Sequence, residues 1–191
     1  MAGRRWIVDP LDGTVNYAHG FPFFCVSIAL EAEGELVAAV TYDPNRHELF
    51  AAAKGQGATL NGQAIRVSET SALAEALVAT GFAYNVHEEE RFTNLDHFGN
   101  FVKRAQAVRR PGSAAIDLAW VACGRIDGFW ELFLKPWDWA AGALLIREAG
   151  GSVTAFDGGA FELEGPEILA SNGRIHGEMQ DVLKLGARPI S

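Results

Sequence analysis

Apolar and polar positions alternate in short runs over the first third of the chain and then gather into longer blocks. The apolar run at Trp6–Val8 stops at Asp9, which predicts a short strand over residues 6–8. Residues 14–20 have room for one helical turn. From Phe23 to Val67 the chain breaks into β-rich runs, and each break carries turn residues: Glu33-Gly34, Asp43-Pro44-Asn45, Gly55-Gln56-Gly57 and Asn61-Gly62. These are hairpin signals and predict an antiparallel meander over residues 23–67. Asn61-Gly62 is the sharpest of them, because both residues tolerate positive φ.

After about Ser68 the rhythm changes. "ALVATGF", "AQAVRR", "IDGFWEL", "SVTAF" and "EILASN" each read as a short strand. Between them lie helical stretches. One covers residues 88–105, with Glu88, Glu89 and Glu90 in its first turn and Lys103 and Arg104 in its last, the order that complements a helix dipole. A second runs from a Ser113 cap to Cys123 and ends at Gly124. A third starts at Pro136 and ends at Gly150-Gly151, and a fourth covers residues 174–185. Strands alternating with helices predict an α/β half with a partly parallel sheet. The expected organisation is therefore two lobes: an antiparallel lobe over 1–70 and an α/β lobe over 71–191, with a ligand cleft between them.

Composition narrows the class. With 191 residues, 49% of them hydrophobic, the chain has enough apolar material for a sizeable core. The net charge is −8 and no basic face stands out, so nucleic acid is not an expected partner. No apolar run approaches a membrane span, and no signal peptide precedes Asp9. Cys25 and Cys123 lie far apart in apolar company, as reduced core thiols of a cytoplasmic protein do.

Candidate chemistry sits in three clusters. In "DPLDGT", Asp9 ends a strand and Pro10 fixes the following turn, so the carboxylates of Asp9 and Asp12 and the Leu11 carbonyl can face one spot. Converging hard oxygens suit Mg²⁺. Gly13 lets the backbone approach a ligand, and Thr14 opens a helical turn whose free N–H groups favour a phosphate. A plain turn explains the same residues, since Asp-Pro and Asp-Gly are ordinary turn pairs. In "KPWDWAAG", Asp138 lies in the first turn of a helix, where it either complements the dipole or adds a third carboxylate to a two-metal site. In "RRPGSAA", Gly112-Ser113 offers an anion or hydroxyl contact or an ordinary N-cap, and Arg109 and Arg110 read as surface or ion-pair residues. Glu131, at a strand end among aromatics, is either exposed or placed to bond a polyol. Histidines 19, 47, 87, 97 and 176 have no partner at metal spacing, and neither a G-x-S-x-G elbow nor a G-x-x-x-x-G-K-[ST] loop is present.

"WIVDPLDGTVNY", "RRPGSAAIDLAWVACGRIDGFWE" and "PWDWAAGALLIREAGG" together resemble the signature blocks of the inositol monophosphatase family, and the resemblance runs over nearly the whole chain. It implies a layered αβαβα fold of mixed α/β class and a magnesium-dependent, lithium-sensitive phosphomonoesterase that binds two or more Mg²⁺ ions. By motif, Asp9, Asp12, Asp138 and the Leu11 carbonyl would ligate metal. Gly13 and Thr14 would hold phosphate through backbone amides, and the Thr14 hydroxyl would help position the attacking water, with Asp12 and Thr14 as the catalytic pair. Gly112, Ser113 and Ala114 would line the substrate site, and Glu131 and Asp138 would meet substrate hydroxyls. The family implies a homodimer and a small-molecule phosphate ester as partner.

One departure stands out. The family carries a helical segment and a hairpin before the first block, and that hairpin supplies a metal-binding glutamate. Here five residues precede Trp6 and none is acidic, so the resemblance implies an N-terminally truncated fold with one ligand fewer and an apolar surface left bare. Three rivals remain at this stage. A haloacid-dehalogenase-like phosphatase would need Asp-x-Asp rather than the Asp-x-x-Asp seen here. A family member without turnover would act as a binding module. The same chemistry can also serve another substrate: a sugar bisphosphate, a nucleotide 3′-phosphate or histidinol phosphate.

Overall fold

The computed structural model describes residues 3–82 and 94–185. Its first sheet has six antiparallel strands in sequence order: β1 (Arg4–Asp12), β2 (Cys25–Ala32), β3 (Glu35–Asp43), β4 (Glu48–Ala53), β5 (Ala58–Leu60) and β6 (Gln63–Ile65). The meander expected over 23–67 is thus present. Asn61-Gly62 makes its last hairpin, with φ of 49° and 79° at the two residues. Helix α1 (Thr14–Ala18) follows β1 directly.

The second sheet takes β7 (Leu77–Thr80), β8 (Ala107–Arg109), β9 (Gly128–Leu132), β10 (Ser152–Thr154) and β11 (Glu167–Ser171), in the spatial order β10-β11-β9-β7-β8. β7 pairs in parallel with β8 and β9, and the other pairs are antiparallel, so this sheet is partly parallel as expected. Helices α2 (Leu95–Val102), α3 (Ala114–Ala122), α4 (Pro136–Glu148) and α5 (His176–Lys184) complete the fold. The helix expected over 88–105 is shorter: it starts at Leu95 after an Asn94 N-cap and ends at Val102, so Lys103 and Arg104 fall past its last turn, while Glu88–Glu90 lie outside the described residues.

The layers follow from where apolar side chains fall. α3 is buried at Ala114–Ala119, Val121 and Ala122, and α4 from Trp139 to Ile146. A helix apolar all round must be covered on both sides. One core joins Ile7, Ala29 and Phe50 of the first sheet to Leu118, Trp139 and Leu145, and then to Phe129 and Ile168 of the second. Helices α3 and α4 are therefore the filling between the sheets. Their contact is close: a Cβ on Gly142 would stand 2.4 Å from Leu118 Cβ. A second core lies on the far face of the second sheet, where Val78, Trp130 and Leu169 meet Phe101 of α2 and Met179, Val182 and Leu183 of α5.

Among the described residues the layers are sheet, helix pair, sheet, helix pair, one helical layer fewer than αβαβα. The outer face of the first sheet is open, with Trp6, Val8, Tyr42 and Leu49 exposed and Ile28, Leu30 and Val40 half-buried. The division near residue 70 separates the sheets, but the core crosses it, because the filling helices of the second half pack on the strands of the first.

Candidate metal and phosphate site

β1 does not stop at Asp9; it runs to Asp12. Its pairing with β2 shifts between those residues: Asp9 faces Ser27 and Asp12 faces Cys25. Two residues, Pro10 and Leu11, therefore lie opposite one, Val26. Three positions apart on a regular strand, two side chains point to opposite faces. This β-bulge returns Asp12 to the face of Asp9. Proline is tolerated there because a bulge leaves one residue out of the ladder. The Asp9 carboxylate accepts Leu11 N at 2.9 Å, closing the turn.

Gly13 comes next at φ 85°, and a Cβ on it would lie 2.7 Å from the Phe23 carbonyl oxygen. The close approach at Gly13 is to the protein's own backbone, and Gly13 also lines the cavity described below. The Thr14 hydroxyl donates to the Leu11 carbonyl at 3.0 Å. Asn16 then ties this corner to the loop before α3, its Nδ2 donating to Phe23 O at 2.8 Å, Pro111 O at 2.9 Å and Gly112 O at 3.2 Å.

Ser113 caps α3 as expected, accepting from Ile116 N at 3.4 Å. Its hydroxyl also donates to Asp12 Oδ2 at 2.5 Å, and Ala115 N donates to the same oxygen at 2.8 Å. The start of α3 thus grips one carboxylate oxygen of Asp12. Asp138 lies in the first turn of α4, as expected. Its Oδ2 accepts Lys135 N at 2.7 Å at the start of α4, and it also joins the acidic cluster. One oxygen each from Asp9, Asp12 and Asp138 lies within 4.8 Å of the others.

That cluster fits a divalent cation. Burial and the neighbouring acids push Asp12 up to about 6 and Asp138 up to about 6. Carboxylates held this close repel each other when ionised, and a hard cation relieves that repulsion.

All the sequence-predicted site residues line one cavity of about 630 Å³: Asp9, Leu11, Asp12, Gly13, Thr14, Gly112, Ser113, Ala114, Glu131 and Asp138. Glu131, left open between exposure and a polyol contact, is buried at 5% exposure. Its carboxylate packs over Gly81, where a Cβ would fall 2.3 Å from its oxygens. Burial first, then Asp12 and Asp138, push it up to about 8.

Sequence reasoning missed several neighbours. Arg110 lines the cavity rather than the outer surface alone. Thr80 and Gly81 line it from the end of β7. Asp117 lines it too, at 2% exposure, and its signal was a lone charge in the apolar run "AAIDLAWVA". Asn16, in the notional helical turn, gave no signal of its stapling role. The two cysteines are free, and Cys25 Sγ lies 3.9 Å from Asp12 Oδ2. No helix among the described residues is long and apolar enough to cross a membrane.

The chain is similar to known proteins over most of its length. The model of the inositol monophosphatase family matches residues 1–184. Inositol-1-monophosphatase of Synechocystis sp. is 49% identical over 178 residues, which are 93% of this chain and 62% of the relative. Nus factor SuhB of Pseudomonas aeruginosa is 48% identical over 172 residues, 90% of this chain and 64% of the relative. The chain thus spans under two thirds of the length of either. The solved structure of inositol monophosphatase from Anabaena (Nostoc) sp. superposes with a TM-score of 0.92 at 49% identity, covering 95% of this chain and 71% of that one. The chain belongs to the inositol monophosphatase family.

Proposed function

We propose that this chain carries the metal, phosphate and hydroxyl sites of a magnesium-dependent phosphomonoesterase. Its substrate is inositol monophosphate or a similar polyol or sugar phosphate, and its products are the alcohol and phosphate. The observation that carries this reading is the convergence of Asp9, Asp12 and Asp138 in a cavity that also holds Thr14, the start of α3 and Glu131. The name of the Synechocystis relative supports the reaction class.

In this reading Asp9, Asp12, Asp138 and the Leu11 carbonyl hold two or more Mg²⁺ ions. Bound there, the ions supply charge neutralisation at phosphate and a more acidic water. The Gly13 and Thr14 amides hold the phosphate. The Thr14 hydroxyl, already turned toward Leu11 O, orients the water and can pass its bond from that carbonyl. Ser113 fixes Asp12 in rotation, so that one oxygen is committed to the protein and the other is left for the metal. Gly112 and Ala114 shape the wall, and Glu131 with Asp138 faces the substrate hydroxyls. The reading extends to a homodimer in the cytoplasm, where two free thiols are at home. Lithium, competing at the metal site, would inhibit.

The test is phosphate release from myo-inositol 1-phosphate with and without Mg²⁺, in wild type and in Asp9→Asn. Release that needs both Mg²⁺ and Asp9 is the expected outcome. Equal, negligible release in all four conditions, with the protein folded, would leave a binding role instead. A panel of sugar bisphosphates, a nucleotide 3′-phosphate and histidinol phosphate then ranks the substrates.

A further inference from the structure

Asp117 is the acid that the roles above leave unused. It sits on α3 one turn after Ser113, and α3 is otherwise apolar on every side. Its carboxylate is buried at 2% exposure, yet it lines the cavity together with Glu131 and Arg110. Among the described residues, its Oδ1 meets no hydrogen-bond partner. A buried polar atom without a partner is destabilising until a donor meets it. That oxygen is closed to solvent, but Asp117 forms part of the cavity wall, and a turn of its carboxyl presents an oxygen to whatever fills the cavity.

We propose that Asp117 is a specificity-determining residue: in one cavity wall with Glu131 and Arg110, it forms a hydroxyl-binding floor that selects phosphate esters of polyols over esters without hydroxyls. This rests on the phosphatase reading of the same cavity and adds the residue that chooses the alcohol. The Ser113–Asp12 bond at the start of α3 places the phosphate end, and the next turn of the same rigid helix places the hydroxyl end. An ester that spans both is held at two points a fixed distance apart. Burial pushes the Asp117 carboxyl well above its ordinary value. An amide in its place keeps hydrogen-bonding capacity.

The experiment compares kcat/KM for myo-inositol 1-phosphate and for p-nitrophenyl phosphate in wild type, Asp117→Ala and Asp117→Asn. The ratio between the two esters decides, because a loss of folded protein lowers both alike. In Asp117→Ala the inositol ester should fall about 10-fold relative to the aryl ester, the cost of one hydrogen bond to a recognised hydroxyl. Asp117→Asn should keep the ratio within about 3-fold of wild type. A ratio unchanged in Asp117→Ala overturns the proposal while leaving the phosphatase reading intact. Should wild type turn over neither ester, calorimetric binding of the same two esters supplies the ratio. Wild type that binds neither ester defeats the phosphatase reading and this proposal with it.

Discussion

Asp12 and Asp117 share a serine as neighbour, one gripped by Ser113 across space and one following it by about a helical turn in sequence, and their company differs. Asp12 receives the Ser113 hydroxyl and the Ala115 amide on one oxygen. Asp117 Oδ1 receives nothing among the described residues. Both are buried, and burial raises both. Donors offset that for Asp12, which is held at about 6, while Asp117 is pushed well above its ordinary value. The first, gripped by donors on one oxygen, is fit for a cation on the other, and the second, without a partner on Oδ1, is fit for a hydroxyl. Two identical side chains reach different chemistry through the hydrogen bonds around them.

Substitutions can break this contrast. Asp12→Asn removes charge at the centre of the acidic cluster. Activity with Mg²⁺ should fall on the order of 10²–10³-fold, as when one electrostatic group of a site is deleted, with phosphate release as the readout. Ser113→Ala frees the gripped oxygen and removes the α3 cap. It should cost about 10–100-fold in metal affinity or activity, the range for a group that orients a ligand, together with about 1 kcal/mol of stability from the cap. Metal titration and thermal melts separate the two effects. Gly13→Ala tests the corner without touching an acid. The added Cβ meets Phe23 O at a φ of 85°, so stability should drop by about 1–3 kcal/mol. Denaturant melts report that loss.

The subtlest effect is on pH. Asp12 and Asp138 are raised to about 6 and Glu131 to about 8 on folding. The folded state therefore holds their protons more tightly than the unfolded chain, whose carboxyls titrate at about 4. Their contribution to stability is full below that value. It is lost as pH rises through about 6 for the aspartates and about 8 for Glu131. Metal-free protein should melt lower at pH 8 than at pH 5. Glu131→Gln should shrink the difference, and Mg²⁺ should restore stability above pH 6 by binding the ionised cluster.

Sequence made the corner legible because its residues are adjacent and chemically special: two acids, a proline, a glycine and a hydroxyl in six positions. It also placed the sheets and their turns, since residues such as Asn61-Gly62 announce positive φ directly. It did not show the bulge. Pairing against β2 decides that, and Asp9 and Asp12 read as opposite-facing or same-facing until Ser27 and Cys25 are known to lie across from them. The floor was hidden for a similar reason. A carboxylate at 117 is one charge in a helix, and only the packing of α3 between two sheets makes it buried. Arg110 read as a surface residue because a side chain at a cavity mouth is also at the surface.

The central claim is that Asp9, Asp12 and Asp138 form a divalent-cation site. Mn²⁺ titration followed by electron paramagnetic resonance, on wild type and on Asp12→Asn and Asp138→Asn, tests it without requiring turnover. The account predicts saturable Mn²⁺ binding in wild type, displaced by Mg²⁺ and strongly weakened in both variants. Absence of saturable binding in folded wild type, or binding that the two variants leave unchanged, would contradict it.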